Sequence, residues 1–239
     1  MRAKEIHCSY STAYLYLRDR IIHSYYSPGT RLNISELADD LRMSPTPVRE
    51  ALSRLAQDKI IETRQQRGFF VKKIDATEVT ELYALIHMHA AFLVRCAAIK
   101  HRLSIIADQI TTVFAGPTAI SAVRQFRKFH AHLDAHAGAP NATQALDTFF
   151  LRTYFVQLVE FSEPARRDRL RDFSEEIAEM ARDGDHTRCY HKLDRMFLTR
   201  AQWLGPVIKS ATRLTDRGGA GSFLQENTRS ARKETAPGL

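Results

Sequence analysis

The stretch MSPTPVREAL, residues 43–52, sets two prolines directly ahead of a segment whose apolar residues fall into helical spacing. Proline lacks an amide hydrogen and has a fixed φ. It breaks a helix interior but suits the first turn, where amide groups have no helical acceptor. Ser44 therefore reads as the cap, Pro45 as the first helical residue and Pro47 as still within the first turn. Past them, Val48, Ala51, Leu52 and Leu55 recur at helical spacing and define a buried face. Thr46, Arg49, Ser53 and Arg54 point elsewhere, so the outer side of this helix is polar and partly cationic.

Upstream, a short helix is expected from about Ser35 to Arg42, with Leu37, Ala38 and Leu41 inward and Ser35 as its N-cap. Two short helices joined by about three residues are the pattern of a helix-turn-helix. Downstream, IIETRQQRGFFVKKI, residues 60–74, reads as two short strands about Arg67 and Gly68, a hairpin or wing in which Gly68 permits the tight turn. Before all of these, Tyr14, Leu17, Ile21 and Tyr25 predict a first helix that stops at Ser27, Pro28 and Gly29.

From Asp75 the chain reads as helices alone. Val79, Leu82, Tyr83, Ile86, Ala90 and Leu93 share one face of the first, and Leu85, Met88 and Phe92 share another, which predicts a largely buried helix. Further helices are expected over about 118–137, 143–161, 164–182 and 186–203. The fold class is mainly α: a winged helix-turn-helix over 1–74 and an all-α bundle over 75–205. Residues 206–239, rich in Gly, Ser and polar side chains, are expected to be a disordered tail.

Composition narrows the function. The 239 residues carry a net charge of +8, and residues 1–75 hold 13 Lys and Arg against 9 Asp and Glu, which favours an anionic partner. Cys8, Cys96 and Cys189 are widely spaced and form no CxxC pair, so neither a disulfide framework nor a zinc ribbon is expected. No apolar run approaches the roughly 18 residues of a membrane span, and no secretory signal is read, so a cytoplasmic location is expected. A nucleophile with its base, a Gly-rich phosphate loop and a full metal-ligand set are all missing, which argues against an enzyme.

The fingerprint SPGTRL (27–32), ELADDLRMSPTPVREALSRL (36–55) and RGFFV (67–71) resembles the GntR family of bacterial winged-helix regulators. Within it, the chain is similar to the FadR-like subfamily with an all-helical FCD effector domain. The resemblance implies DNA contacts at Ser44, Thr46 and Arg49, with Arg67 and Gly68 at the wing tip. Ser35 and Pro45 occupy DNA-facing positions where the family usually has a basic residue and an arginine, and Arg42 stands at its usual turn glycine.

The resemblance also implies an effector pocket at Ile86, Phe126, His130, Ser174 and Met196. Phe126, Ser174 and Met196 fall where the subfamily has metal ligands, leaving His130 alone, so no metal or other cofactor is expected. Ile86 and Ala90 stand at its pocket arginine and glutamate, which predicts a more apolar cavity. His132 and His136 share a helical face but have no third ligand, and a polar helix surface is the simpler reading. The implied function is a DNA-binding regulator, most often a repressor, acting as a homodimer on double-stranded DNA and modulated by a small molecule. A constitutive or architectural DNA binder whose bundle only dimerises remains open beside it, with a metal-dependent enzyme as a remote alternative.

Overall fold

The computed structural model describes residues 2–99, 101–111, 116, 118–137, 140–225 and 227. The chain forms two compact units, Met1–Ile74 together with Thr212–Leu224, and Asp75–Ala211 together with the chain from Gln225 onward.

In the first unit α1 (Arg2–Ile22) and β1 (Arg31–Leu32) precede α2 (Ile34–Leu41) and α3 (Pro45–Gln57), and β2 (Ile61–Arg64) and β3 (Gly68–Val71) follow. Helix α3 starts where its prolines direct: Ser44 is extended at φ −72 and ψ 159, and Pro45 is the first helical residue. The Ser44 hydroxyl makes no capping bond to the helix, in contrast to its expected role. Of the first three helical residues only Thr46 retains an N–H, so the prolines themselves remove most of the donors that a cap would serve. Pro47, Val48, Ala51, Leu52 and Leu55 are buried. Helix α3 packs against α1, whose Ala13, Leu17 and Ile21 are buried in the same unit. The Tyr14 hydroxyl donates to Asp58 at 2.8 Å. Burial and that carboxylate push the phenol up to about 12.

Helix α2 begins one residue earlier than expected, because Asn33 and not Ser35 is its cap. The Asn33 side-chain oxygen Oδ1 accepts from the Ser35 amide at 3.1 Å, and Nδ2 donates to Glu36 at 2.7 Å. Asn33 and Glu36 therefore close a capping arrangement three residues apart. Arg42 ends the helix in the left-handed region, φ 53 and ψ 44. A non-glycine residue there costs about 1 kcal/mol, which explains the glycine usual at this turn.

The sheet has the order β1-β3-β2 and is antiparallel throughout. Strands β2 and β3 are the expected hairpin; β1, pairing Arg31 with Phe70 and Leu32 with Phe69, is an addition too short for alternation to reveal.

In the second unit α4 (Ala76–Ile99), α5 (Leu103–Thr111), α6 (Ala119–Ala137), α7 (Pro140–Ser162) and α8 (Pro164–Arg182) follow in order, with α9 (His186–Asp216) up to Ala211. Helix α4 packs on α6 and α7, and α5 on α8. The inner residues of α4, Val79 to Ala97, are buried as expected. Its second apolar face is not: Leu85, Met88 and Phe92 are 41%, 64% and 49% exposed. By length and composition α4 is also apolar enough to cross a membrane, contrary to the expectation that no run approaches that length. Packing on α6 and α7 accounts for the apolar inner half of the helix.

The expected disordered tail is corrected in its first part. Helix α9 continues through Gly205 and Pro206 to Asp216, and residues 220–225 are again helical. Leu204, Val207, Ile208, Ala211 and Thr215 are buried at helical spacing, and this face outweighs the Gly-Pro break. The segment from Thr212 to Leu224 is part of the first unit. Residues 228–239 lie outside the described residues.

Candidate nucleic-acid interface and bundle cavity

Along α3, Ser44, Pro45, Thr46 and Arg49 are exposed, and Ser35 is exposed at the start of α2. Arg49, Glu50, Ser53, Arg54 and Gln57 line a shallow open groove on the outer side of α3. Arg54 lies 3.5 Å from Asp58 and is partly neutralised by it. Among the described residues Arg49 forms no ion pair, and its guanidinium faces the solvent from one turn into the helix. A planar cation there can meet a guanine edge or a phosphate, while the Thr46 amide and the two hydroxyls suit phosphate oxygens.

The wing tip is preset by backbone. The Arg67 amide donates to the Arg64 carbonyl at 3.0 Å. Gln66 and Gly68 take positive φ values of 57 and 93. Glycine at 68 accepts the second of these without strain. Arg67 is exposed at the tip. Two arginines that sequence reasoning passed over flank it. The Arg31 Nε lies 4.0 Å from the place a Cβ would occupy on Gly68. Arg64 bonds Glu62 at 2.8 and 2.6 Å and lies 4.2 Å over the Phe70 ring. Alternation along the hairpin was the available signal for Arg64; Arg31 needed β1, which left none.

Within the bundle, Ile86, Phe126, His130 and Met196 line one cavity of about 20 Å³. Phe126, Met196 and Ser174 line a second cavity of similar size. Each has room for about one water. The Ser174 hydroxyl turns back to the Leu170 carbonyl at 3.0 Å. His130 is 1% exposed, with Phe126, Phe129 and Phe150 edge-on around it at 4.9, 5.4 and 5.1 Å.

The expected apolar character needs a correction, because His87 and Arg200 also line the first cavity. A cation returns from α9 in place of the one missing at Ile86. It is fully compensated: Arg200 Nε and Nη2 donate to Glu160 at 2.8 and 2.7 Å, and Glu160 is 0% exposed. Tyr83 and Trp203 also donate to Glu160, each at 3.0 Å. The guanidinium lies 4.9, 5.0 and 5.7 Å from the centroids of Tyr83, Phe126 and Phe161. Burial opposes the Arg200 charge, but the Glu160 carboxylate more than offsets it and holds the guanidinium above its ordinary range. Burial next to Glu160 likewise holds the Tyr83 phenol well above the usual range.

The histidines divide between two surroundings. His87 stacks on Phe197 at 4.4 Å and bonds Asp194 at 2.8 Å. His89 has its Nε2 at 3.6 Å from Asp134 and its ring 6.4 Å from that of His130. Among the described residues no group of three or more His, Cys, Asp or Glu could hold a metal. Phe126, Ser174 and Met196 offer no ligand set around His130, so the residues present do not fit the subfamily's metal. The side chain of His132 lies outside the described residues.

Burial first, then the nearby His89, Arg200 and His87, lowers His130 from 6.5 to about 3. Its folded value lies below its unfolded value, so only the unfolded chain takes up a proton between those limits. Stability from this group is present above pH 6.5 and falls as pH drops toward 3. The expected slope is about 1.4 kcal/mol per pH unit. Denaturant titrations of wild type and His130→Leu between pH 7 and 4 check it; equal slopes would refute the burial of a neutral imidazole.

A helix-turn-helix with a basic wing, its hydroxyls and Arg49 outward, defines a DNA-binding domain. Residues 9–71 match the bacterial regulatory proteins of the gntR family, so this domain is a winged helix-turn-helix of GntR type. The HTH-type transcriptional repressor RspR of Escherichia coli (strain K12) is 41% identical over 66 residues, 28% of this chain and 29% of that protein. The HTH-type transcriptional regulator YdhC of Bacillus subtilis (strain 168) is 27% identical over 128 residues, 51% of this chain and 57% of that protein. The chain thus spans between 29% and 57% of the length of these relatives. A transcriptional regulator GntR from Rhodococcus sp. RHA1 superposes with a TM-score of 0.64 at 22% identity, over 82% of this chain and 97% of that one, and shares its fold.

Proposed function

We propose that the protein is a sequence-specific transcription regulator, not an enzyme. It binds double-stranded DNA as a homodimer in the cytoplasm, with Ser44, Thr46 and Arg49 in the major groove and Arg67 and Gly68 at the wing. The observation that carries this reading is the outward cationic face of a proline-started α3 within the GntR-type domain. Similarity of that domain to the repressor RspR favours repression. The Phe126-centred cavities favour reading the helical unit as an effector domain of the FadR-like, FCD kind, in which a small molecule favouring one bundle arrangement shifts operator affinity. Selection from a random duplex library tests the DNA reading: enrichment of an inverted repeat supports it, and no enrichment above the starting pool refutes it.

A second reading has one specific observation in its favour. Cavities of about 20 Å³ admit a ligand larger than water only if their lining side chains move, which suits a constitutive binder whose bundle only dimerises. Thermal-shift screening of carboxylates, acyl thioesters and aromatic acids separates the two. A stabilising compound that also changes operator affinity selects the regulated form.

Pro45 sets the character of the interface. It removes a long cationic side chain from the head of α3 while keeping the helix start rigid. Pro45→Arg is expected to steepen the salt dependence of DNA binding by roughly one unit per protomer if the new side chain meets a phosphate. If it meets a base edge, a preference for guanine appears instead. Binding curves against salt on operator and scrambled duplexes decide; coincident curves for both proteins on both DNAs would remove residue 45 from the interface.

A further inference from the structure

The two cavities of the bundle share a wall. Ala90, Phe126, Phe129, Leu193 and Met196 line both of them. Met196 is the adaptable member of this wall, because its side chain is unbranched and rotates about three bonds. A change of its rotamer joins the two spaces.

The two ends differ in chemistry. In the second cavity the polar groups turn away to the backbone of α8: the Ser174 hydroxyl donates to the Leu170 carbonyl at 3.0 Å, and the Cys189 thiol lies 3.6 Å from the Ile177 carbonyl. Leu103 and Ile110 face what is left, an apolar end. In the first cavity His87 is bonded to Asp194, and Arg200 to Glu160. His130 stands apart from these pairs. Its Nδ1 is buried and has no hydrogen-bond partner among the described residues. A buried polar atom left unpaired is costly, and a ligand able to pair it recovers that cost.

The group best suited to do so is a hydroxyl. A neutral imidazole has one donor and one acceptor nitrogen, and a hydroxyl, which is both, meets Nδ1 in either tautomer. A water offers the same atoms but needs two to four polar partners, and the rings of Phe126, Phe129 and Phe150 around His130 supply none. A hydroxyl carried on an apolar body needs only one. A carboxylate ligand would leave water to meet a neutral imidazole and a guanidinium already held by both oxygens of Glu160, which is unfavourable.

We propose that the two cavities are halves of one binding site, joined when Met196 moves, for an uncharged apolar molecule whose hydroxyl bonds to Nδ1 of His130. The proposal rests on the reading of the helical unit as an effector domain and gives that domain its ligand class, alcohols and phenols in place of acids. The hydroxyl lies in the first cavity, and the apolar body crosses the Met196 partition toward Leu103 and Ile110.

Calorimetric titration of the full chain with phenol, toluene and benzoate tests it, since the three share a ring and differ in the group offered to His130. Wild type is expected to bind phenol about tenfold more tightly than toluene, because toluene leaves Nδ1 unpaired, and to show no binding of benzoate. His130→Leu is expected to lose the preference for phenol while still taking toluene. Met196→Ala, with the partition already open, is expected to bind phenol about tenfold more tightly than wild type, because no minor conformation has to be populated first. Equal affinity of wild type for phenol and toluene, a comparison that needs no variant to fold, overturns the proposal. Tighter binding of benzoate than of phenol also overturns it, and would mean that Arg200 leaves Glu160 for the ligand. So does phenol binding that neither substitution alters, and so does a lack of phenol binding by both wild type and Met196→Ala. Operator affinity with and without phenol is read in parallel. Phenol bound with no change in operator affinity leaves the site standing and removes the regulated reading, whereas loss of the site with operator binding intact leaves the DNA-binding reading standing.

Discussion

Glu160→Gln is expected to destabilise the helical unit by about 3 to 5 kcal/mol, the cost of leaving one partner of a buried ion pair charged and alone. Arg200 is 7% exposed and has its Nε and Nη2 donors on the Glu160 carboxylate. The glutamine amide supplies one acceptor where two carboxylate oxygens stood, and its own donors face the guanidinium. Arg200→Met leaves Glu160 charged with only Tyr83 and Trp203 as donors and is expected to cost a similar amount. The double variant Glu160→Leu with Arg200→Met is expected to recover most of the loss, because apolar residues of similar volume replace a buried pair at little net cost. Trp203, the single tryptophan of the sequence, donates to this carboxylate and reports its surroundings. Urea unfolding followed by its fluorescence reads the effect, and a single variant within about 1 kcal/mol of wild type would mean that the pair is hydrated or rearranged.

Arg49→Ala is expected to weaken operator binding by about 1 to 3 kcal/mol per protomer, with no measurable change in thermal stability. Arg49 is exposed, so its removal leaves no cavity. Arg54→Ala serves as the comparison: its guanidinium lies 3.5 Å from Asp58, so less of its charge is available to DNA. Anisotropy titrations on the selected operator measure both. Equal affinity of wild type and Arg49→Ala would move the recognition surface away from the head of α3.

The elements that the sequence made legible are those whose signals are local. Two prolines fix the start of α3 by steric rule, and a glycine with positive φ marks the wing turn. Boundaries set by competing caps were less visible: Asn33 and Ser35 are both good cap residues, and only the Glu36 partner decides between them. Strand β1 has two residues, fewer than alternation needs. Gly205 and Pro206 read as punctuation, yet a buried face on both sides carries α9 through them. Helix α5, over LSIIADQIT, follows so closely on α4 that one apolar run hid two helices.

The site divides in the same way. Ser44, Thr46 and Arg49 follow from one helical period, whereas the Arg200 and Glu160 pair joins positions 40 residues apart. Each had a weak local signal, a charge within an otherwise apolar face, but nothing in the sequence says that the two charges meet.

That pair also bears on rates. Tyr83, Phe126, Glu160 and Arg200 come from α4, α6, α7 and α9, and the Tyr83 to Glu160 bond alone closes 77 residues of chain. Contacts so distant along the chain pay their loop-closure entropy before they return any stabilisation, and the two charges leave water only once all four helices have converged. The pair is therefore expected to form late, so that its removal speeds unfolding more than it slows folding, and the lifetime of the folded helical unit shortens accordingly.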